Sequence, residues 1–179
     1  MAGRPELLLA FAGLALAACG GGETALAPPC PIISVLADTA EVTKFRSGLG
    51  RDLTDVVLEA RITDYSGFCD TDLDDGAGGE VQVELRLLIE VARGPANGSR
   101  RGSYDFFIAI GDRERNILAK QVFTSEVEFE GNRNRLTAVE ELEQIIPLGA
   151  GELGDAYDIY VGFQLSEDEL LYNRRKVMR

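Results

Sequence analysis

The sequence predicts an all-β protein: an antiparallel β-sandwich of immunoglobulin- or fibronectin-like type with a short C-terminal helix. Three observations predict it. Apolar residues recur at every second position in several separate segments, the period of a half-buried strand. Gly-rich turns divide these segments. Helical signals gather near the C-terminus. A small β-barrel would show the same alternation and is the rival architecture.

The elements follow in order. "CPIISVLADT" (30–39) is a short β-rich segment carrying Ile32, Ile33, Val35 and Leu36. "AEVTKFRSGLGRDLTD" (40–55), with Gly48 and Gly50, reads as a loop or bent edge segment. Then the period becomes two. Val56, Leu58, Ala60 and Ile62 lie on one side, and Asp55, Glu59, Arg61 and Thr63 on the other, in a strand that leads to Cys69. "CDTDLDDGAGG" (69–79) reads as an acidic, Gly-rich turn.

"EVQVELRLLIEVARG" (80–94) is the clearest strand. Val81, Val83, Leu85, Leu87, Ile89 and Val91 alternate with Gln82, Glu84, Arg86 and Glu90, and Leu88 is the one apolar residue in the outer row. "GPANGSRRG" (94–102) is a turn; its Asn97-Gly98-Ser99 fits a glycosylation acceptor pattern but suits a turn better. "SYDFFIAIGD" (103–112) puts Tyr104, Phe106, Ile108 and Ile110 in phase. "ILAKQVFTSEVEFE" (117–130) is one bent or bulged strand with Phe123, Val127 and Phe129 inward.

"RLTAVEELEQIIPL" (135–148) admits two readings. Ala138, Leu142 and Ile145 suit a helix, whereas the flanking strands and Pro147 favour a strand, the reading preferred. "AYDIYVGFQL" (156–165) is again a strand. In "SEDELLYNRRKVMR" (166–179), Ser166 and Glu169 form a capping box. Acidic residues fill the first turn and Arg174, Arg175 and Lys176 the end, as the helix dipole favours.

The N-terminus carries a targeting signal. Arg4 precedes an apolar stretch too short to span a bilayer, which wants about 20 residues. The stretch ends in Leu16-Ala17-Ala18-Cys19, which is similar to the bacterial lipobox. That resemblance implies removal of residues 1–18 and a covalent lipid on Cys19, since stable anchoring takes more than one acyl chain. Gly20, in place of Asp, points to the outer membrane, periplasmic side, with the inner membrane and the cell surface as alternatives. Residues 19–29, "CGGGETALAPP", are a lipidated flexible tether. Residues 30–179 form a single sandwich domain, a length that supports a real core.

Of the three cysteines, Cys30 and Cys69 remain for pairing, and the oxidising compartment outside the inner membrane predicts a disulfide between them. The net charge of −12 argues against nucleic acid and against an anionic lipid surface, so the membrane link is the lipid itself. The chain has no histidine, which removes His-dependent triads and the commonest metal ligand. No nucleophile motif is present, and a non-enzymatic protein is expected. Paired carboxylates for glycan hydrolysis are the residual enzymatic reading.

Two segments are candidate sites. Asp70, Asp72 and Asp74, with Asp75 and Gly76, offer oxygen ligands for calcium, the one cofactor considered. The EF-hand pattern fails: counting from Asp70, Asp75 stands where Gly belongs and Val81 where Glu belongs. A solvated acidic turn is the preferred reading. Lys44, Phe45, Arg46 and Arg51 form a possible partner-binding loop. The competing reading has Phe45 plugging one end of the sandwich and the arginines pairing with Asp52 or Asp55.

The segments "VLADTAEVTKFRSGLGRDLTDVVLEARI" (35–62), "EELEQIIPL" (140–148) and "YVGFQLSEDELLYNRR" (160–175) together resemble a group of uncharacterised alphaproteobacterial lipoproteins. The resemblance implies an exported, lipid-anchored, single-domain protein and brings no catalytic residue with it. The expected role is a binding or scaffold module with an unknown envelope protein as partner. The acidic surface favours a basic one.

Overall fold

The computed structural model describes residues 27–48, 50–74 and 77–177. Cys19, the leader 1–18 and most of the tether lie outside the described residues, as do Asp75 and Gly76.

Among the described residues eight strands form two four-stranded sheets. They are β1 (Ile32–Val35), β2 (Glu41–Phe45), β3 (Val56–Asp74), β4 (Gly78–Arg93), β5 (Arg101–Asp112), β6 (Ile117–Glu128), β7 (Arg135–Leu148) and β8 (Tyr157–Phe163), followed by helix α1 (Glu167–Val177). One sheet has the order β1-β8-β5-β6 and the other β2-β3-β4-β7. β1 runs parallel to β8; every other pair is antiparallel. The sheets enclose a shared core, so the chain is a β-sandwich.

β4 is the spine of that core. Its inward row, Val81 to Val91, is at most 2% exposed at every position. Tyr104, Phe106, Ile108, Ile159, Val161 and Phe163 face it from the other sheet, equally buried. Alternation at period two is what lets a strand bury one row and solvate the other. Segment 135–148 is a strand, with Leu136, Ala138, Leu142 and Ile146 turned toward the core. Pro147 is tolerated because β7 is an edge strand, where a missing N–H costs no ladder bond.

Three features sharpen or correct the sequence reading. First, of the two readings of 40–55 the bent edge segment holds: Glu41–Phe45 pairs with β3 as an edge strand, with a register shift between Lys44 and Phe45. Second, the acidic turn is shorter than expected. Cys69 to Asp74 continue β3, paired with Gly78 to Val83. Gly78, at φ +110°, takes the left-handed backbone that this tight return needs. Third, β3 carries a bulge at Thr63. Ile62 pairs with Ile89 but Asp64 pairs with Leu88, so one residue is extra.

The bulge changes which residues face inward. Before it, Val56, Leu58, Ala60 and Ile62 are the inner row. After it, Tyr65, Gly67, Cys69 and Thr71 pair with the inward residues Leu87, Leu85, Val83 and Val81. Cys69 thereby turns inward and forms a disulfide with Cys30, with the two Cα atoms 5.8 Å apart. Gly67 leaves room there for Cδ1 of Ile33 in β1, which a Cβ would displace.

At the C-terminus, the capping box forms as the sequence predicts. Ser166 N donates to Oε2 of Glu169 at 2.8 Å, and Glu169 N donates to Ser166 Oγ at 3.3 Å. Asn173 of α1 is buried and donates to the carbonyls of Asp38 and Glu41, which docks the helix on β2. Lys176 and Arg61 both reach the Glu41 carboxylate. Burial would raise the Glu41 carboxyl, but the hydrogen bonds and charges of Lys176 and Arg61 outweigh it and hold it below the usual range.

Candidate functional site

The same phase change that turns Cys69 inward turns Phe68 outward. Phe68 is 67% exposed, an unusual setting for a large aromatic ring. It lies directly opposite Glu84 of β4, which lies directly opposite Glu143 of β7. The next row toward the bulge is Ser66, Arg86 and Glu141. These two rows line a shallow groove of about 650 Å³ on the outer face of the β2-β3-β4-β7 sheet.

The electrostatics of the groove are one-sided. Gln82 donates to Oε1 of Glu143 at 2.8 Å, and Arg86 stands 3.6 Å from Glu141. Among the described residues Glu84 makes no ion pair, although a second carboxylate faces it across the strand. Like charges directly opposite on neighbouring strands destabilise a sheet. Asp70, Asp72 and Asp74 extend the acidic surface along β3, with Glu80 opposite Asp72 on β4. Ile145 and Val139, 54% and 44% exposed, add apolar surface from β7 on the same face.

Asp70, Asp72 and Asp74 are therefore not arranged as a calcium loop. In a strand they stand about 7 Å apart along one face, too far for three carboxylates to close on one ion at about 2.4 Å. Among the described residues, no three His, Cys, Asp or Glu groups converge as a metal site.

The candidate loop near the start of β3 is tied to its own fold. Phe45 packs edge-on against Tyr172 of α1 with ring centroids 5.0 Å apart, and the Arg51 guanidinium lies 5.4 Å from the Phe45 centroid. Arg51 also donates to the carbonyls of Gly48 and Gly50. Arg46 meets the buried Asp55 at 2.5 Å as an ion pair out of line for a hydrogen bond. Lys44 is half-buried opposite Leu58. With Asp52, Leu53, Arg175 and Lys176, Arg51 and Tyr172 line a shelf that holds three cations and one carboxylate.

One polar cluster was not visible in the sequence. Oε1 of Glu140 accepts from Tyr104 Oη at 2.9 Å and from Ser125 Oγ at 2.6 Å, between the sheets. Its signal was a carboxylate in the inward phase of β7, legible only once that segment is taken as a strand. Burial, and then the nearby Glu140 charge, push the Tyr104 phenol far above its ordinary value, although the Ser125 contact opposes this. The cluster joins β5 and β6 of one sheet to β7 of the other.

A pH dependence follows. In the unfolded chain Tyr104 ionises near pH 10, but in the fold it stays neutral. A raised folded value means stability that is full below that pH and is lost as pH rises further. Tyr104→Phe should flatten the alkaline fall in stability, measured by urea unfolding at several pH values, while costing about 1 kcal/mol at neutral pH.

Among the described residues no helix is long and apolar enough to cross a membrane. Fold and surface together define a β-sandwich with an acidic, aromatic-bearing outer sheet face. No protein-family model matches the chain, and no curated protein or solved structure does so either.

Proposed function

We propose that the protein is a non-enzymatic binding module whose outer sheet face takes a basic partner, an extended segment rich in Lys or Arg. The observation that carries the reading is the Phe68–Glu84–Glu143 row. An exposed ring beside two carboxylates offers a cation both π-face and charge. A face that repels itself when empty is relieved when a cation sits on it. The lipobox at Leu16–Cys19 supports lipid anchoring at an envelope membrane, most simply the periplasmic side of the outer membrane. Its partner would then be another envelope protein. Two face-packed sheets with chain connections crossing between them support an immunoglobulin- or fibronectin-like type.

Calorimetric titration with a Lys- and Arg-rich peptide tests the reading. Glu84→Lys and Phe68→Ala should each weaken binding by about tenfold, with affinity falling steeply as salt rises. Glu84→Lys should also raise the melting temperature of the free protein, because it converts a repulsive cross-strand pair into an attractive one. Equal binding by wild type and Glu84→Lys would overturn the assignment.

A further inference from the structure

The four sheet edges are not alike. β1 spans only Ile32–Val35, and the Tyr65 hydroxyl donates to the carbonyl of Ile33 at 3.2 Å. β2 spans only Glu41–Phe45 and is covered by α1 through Asn173 and Tyr172. β7 holds an inward carboxylate, Glu140, and carries Pro147. Short length, covering elements, inward charges and proline are the devices that keep a strand edge from pairing.

Among the described residues β6 has none of these four; its edge is marked instead by charged side chains, Lys120 and Glu126, and by a register shift at its start. It runs from Ile117 to Glu128 without proline, and from Ala119 to Glu128 its pairing with β5 is unbroken. Twelve residues present about 40 Å of edge. Leu118 and Val122, on this strand, are 55% and 48% exposed.

Its charges are also self-complementary. Lys120 and Glu126 lie on the same outer row, at equal distances on either side of Phe123. If two β6 strands run antiparallel with Phe123 opposite itself, Lys120 falls opposite the partner's Glu126, and the reverse holds by symmetry. Val122 falls opposite Thr124, and Gln121 opposite Ser125. Every residue meets one on the same face of the sheet, as a two-fold axis normal to the sheet requires. Sliding the pairing by one step sets Lys120 opposite Thr124 or opposite Glu128, which already stands 3.5 Å from Arg101. Only the central register matches both charges.

We propose that the chain forms a two-fold dimer through β6, joining the two β1-β8-β5-β6 sheets into one continuous eight-stranded sheet. The occupant of the edge is a second copy because Lys120 and Glu126 complement each other across the two-fold, while Glu128, opposite Leu118, already has Arg101 of its own chain. A foreign strand would need to reproduce that order. The dimer leaves the Phe68 groove free, since the groove lies on the other sheet.

Sedimentation of the full-length chain in mild detergent tests this. Wild type should sediment as a dimer. Lys120→Glu and Glu126→Lys should each weaken dimerisation by about tenfold or more, because each sets like charges opposite one another at two places. The double variant Lys120→Glu/Glu126→Lys should restore the dimer, since it exchanges the signs and keeps the register. Glu126→Lys leaves Lys120 over the Phe107 ring, 4.3 Å from its centroid, so its fold is undisturbed there, and melting curves check this. A monomeric wild type, single variants that remain dimeric, or a double variant that stays monomeric would each overturn the proposal. Peptide binding at the Phe68 groove is read separately, so failure of one assignment is distinguishable from failure of the other.

Discussion

Replacing Cys30 and Cys69 by alanine together should destabilise the protein by about 4 kcal/mol and lower the melting temperature by about 10 °C. The cross-link closes a loop with a sequence separation of 39, and in the chain-entropy account a loop of that size removes about 4 kcal/mol of freedom from the unfolded state. The structural consequence is local as well. β1 is four residues long, parallel to β8, and at the edge of its sheet. Such a strand makes few ladder bonds of its own. The disulfide ties it to β3 of the opposite sheet, so its loss should free the segment around Ile32–Val35 first. Hydrogen exchange should show protection falling there ahead of β4. Thermal melting with and without reductant checks the size of the effect, and unchanged melting after reduction would remove the cross-link from the stability account.

Phe106→Ala should cost about 3–5 kcal/mol, the range for deleting a buried aromatic side chain. Phe106 is 1% exposed and stands at the junction of three strands. It stacks on Phe123 of β6 with centroids 5.3 Å apart, lies 6.4 Å from Tyr104, and faces Phe163 across the β5–β8 ladder. The cavity would open beneath the edge strand β6, whose remaining hold on the core is modest. Urea unfolding should therefore show both a lower midpoint and early loss of protection in 117–128. Phe106→Leu, which keeps most of the volume, should recover more than half of the loss.

The fold was legible wherever alternation is uninterrupted. Val81 to Val91 is a strand by inspection, and its inner row is the core. Segment 135–148 was harder, because Ala138, Leu142 and Ile145 also fit a helix; tertiary pairing with β4 decided it. The stretch from Cys69 to Asp74 resisted the sequence reading for a physical reason. Asp-rich, Gly-rich sequence is what a turn uses. Yet hydrogen bonding to β4 extends the strand through all of it. Pairing energy comes from the neighbour, and a single sequence does not display its neighbours.

The same reason hid the groove. Phe68 looks like a core residue in composition, and its outward direction depends on one unpaired residue upstream. Glu84 and Glu143 are far apart in sequence and become neighbours only through the β4–β7 register. The disulfide was legible, by contrast, because redox compartment and cysteine count need no geometry.

Thr63 makes pairing, more than residue identity, the sensitive quantity in this part of the chain. It acts as a spatial frameshift: one residue of extra path reassigns every side chain beyond it to the opposite face. Were Thr63 paired regularly, with no residue removed, Phe68 would turn toward the core and Cys69 toward solvent, and the cross-link and the acidic aromatic surface would be lost in one step. Deleting Thr63 itself would leave Asp64 opposite Leu88 and Cys69 opposite Val83, a regular ladder with the same two faces. Covalent staple and exposed face are thus two outputs of a single pairing pattern.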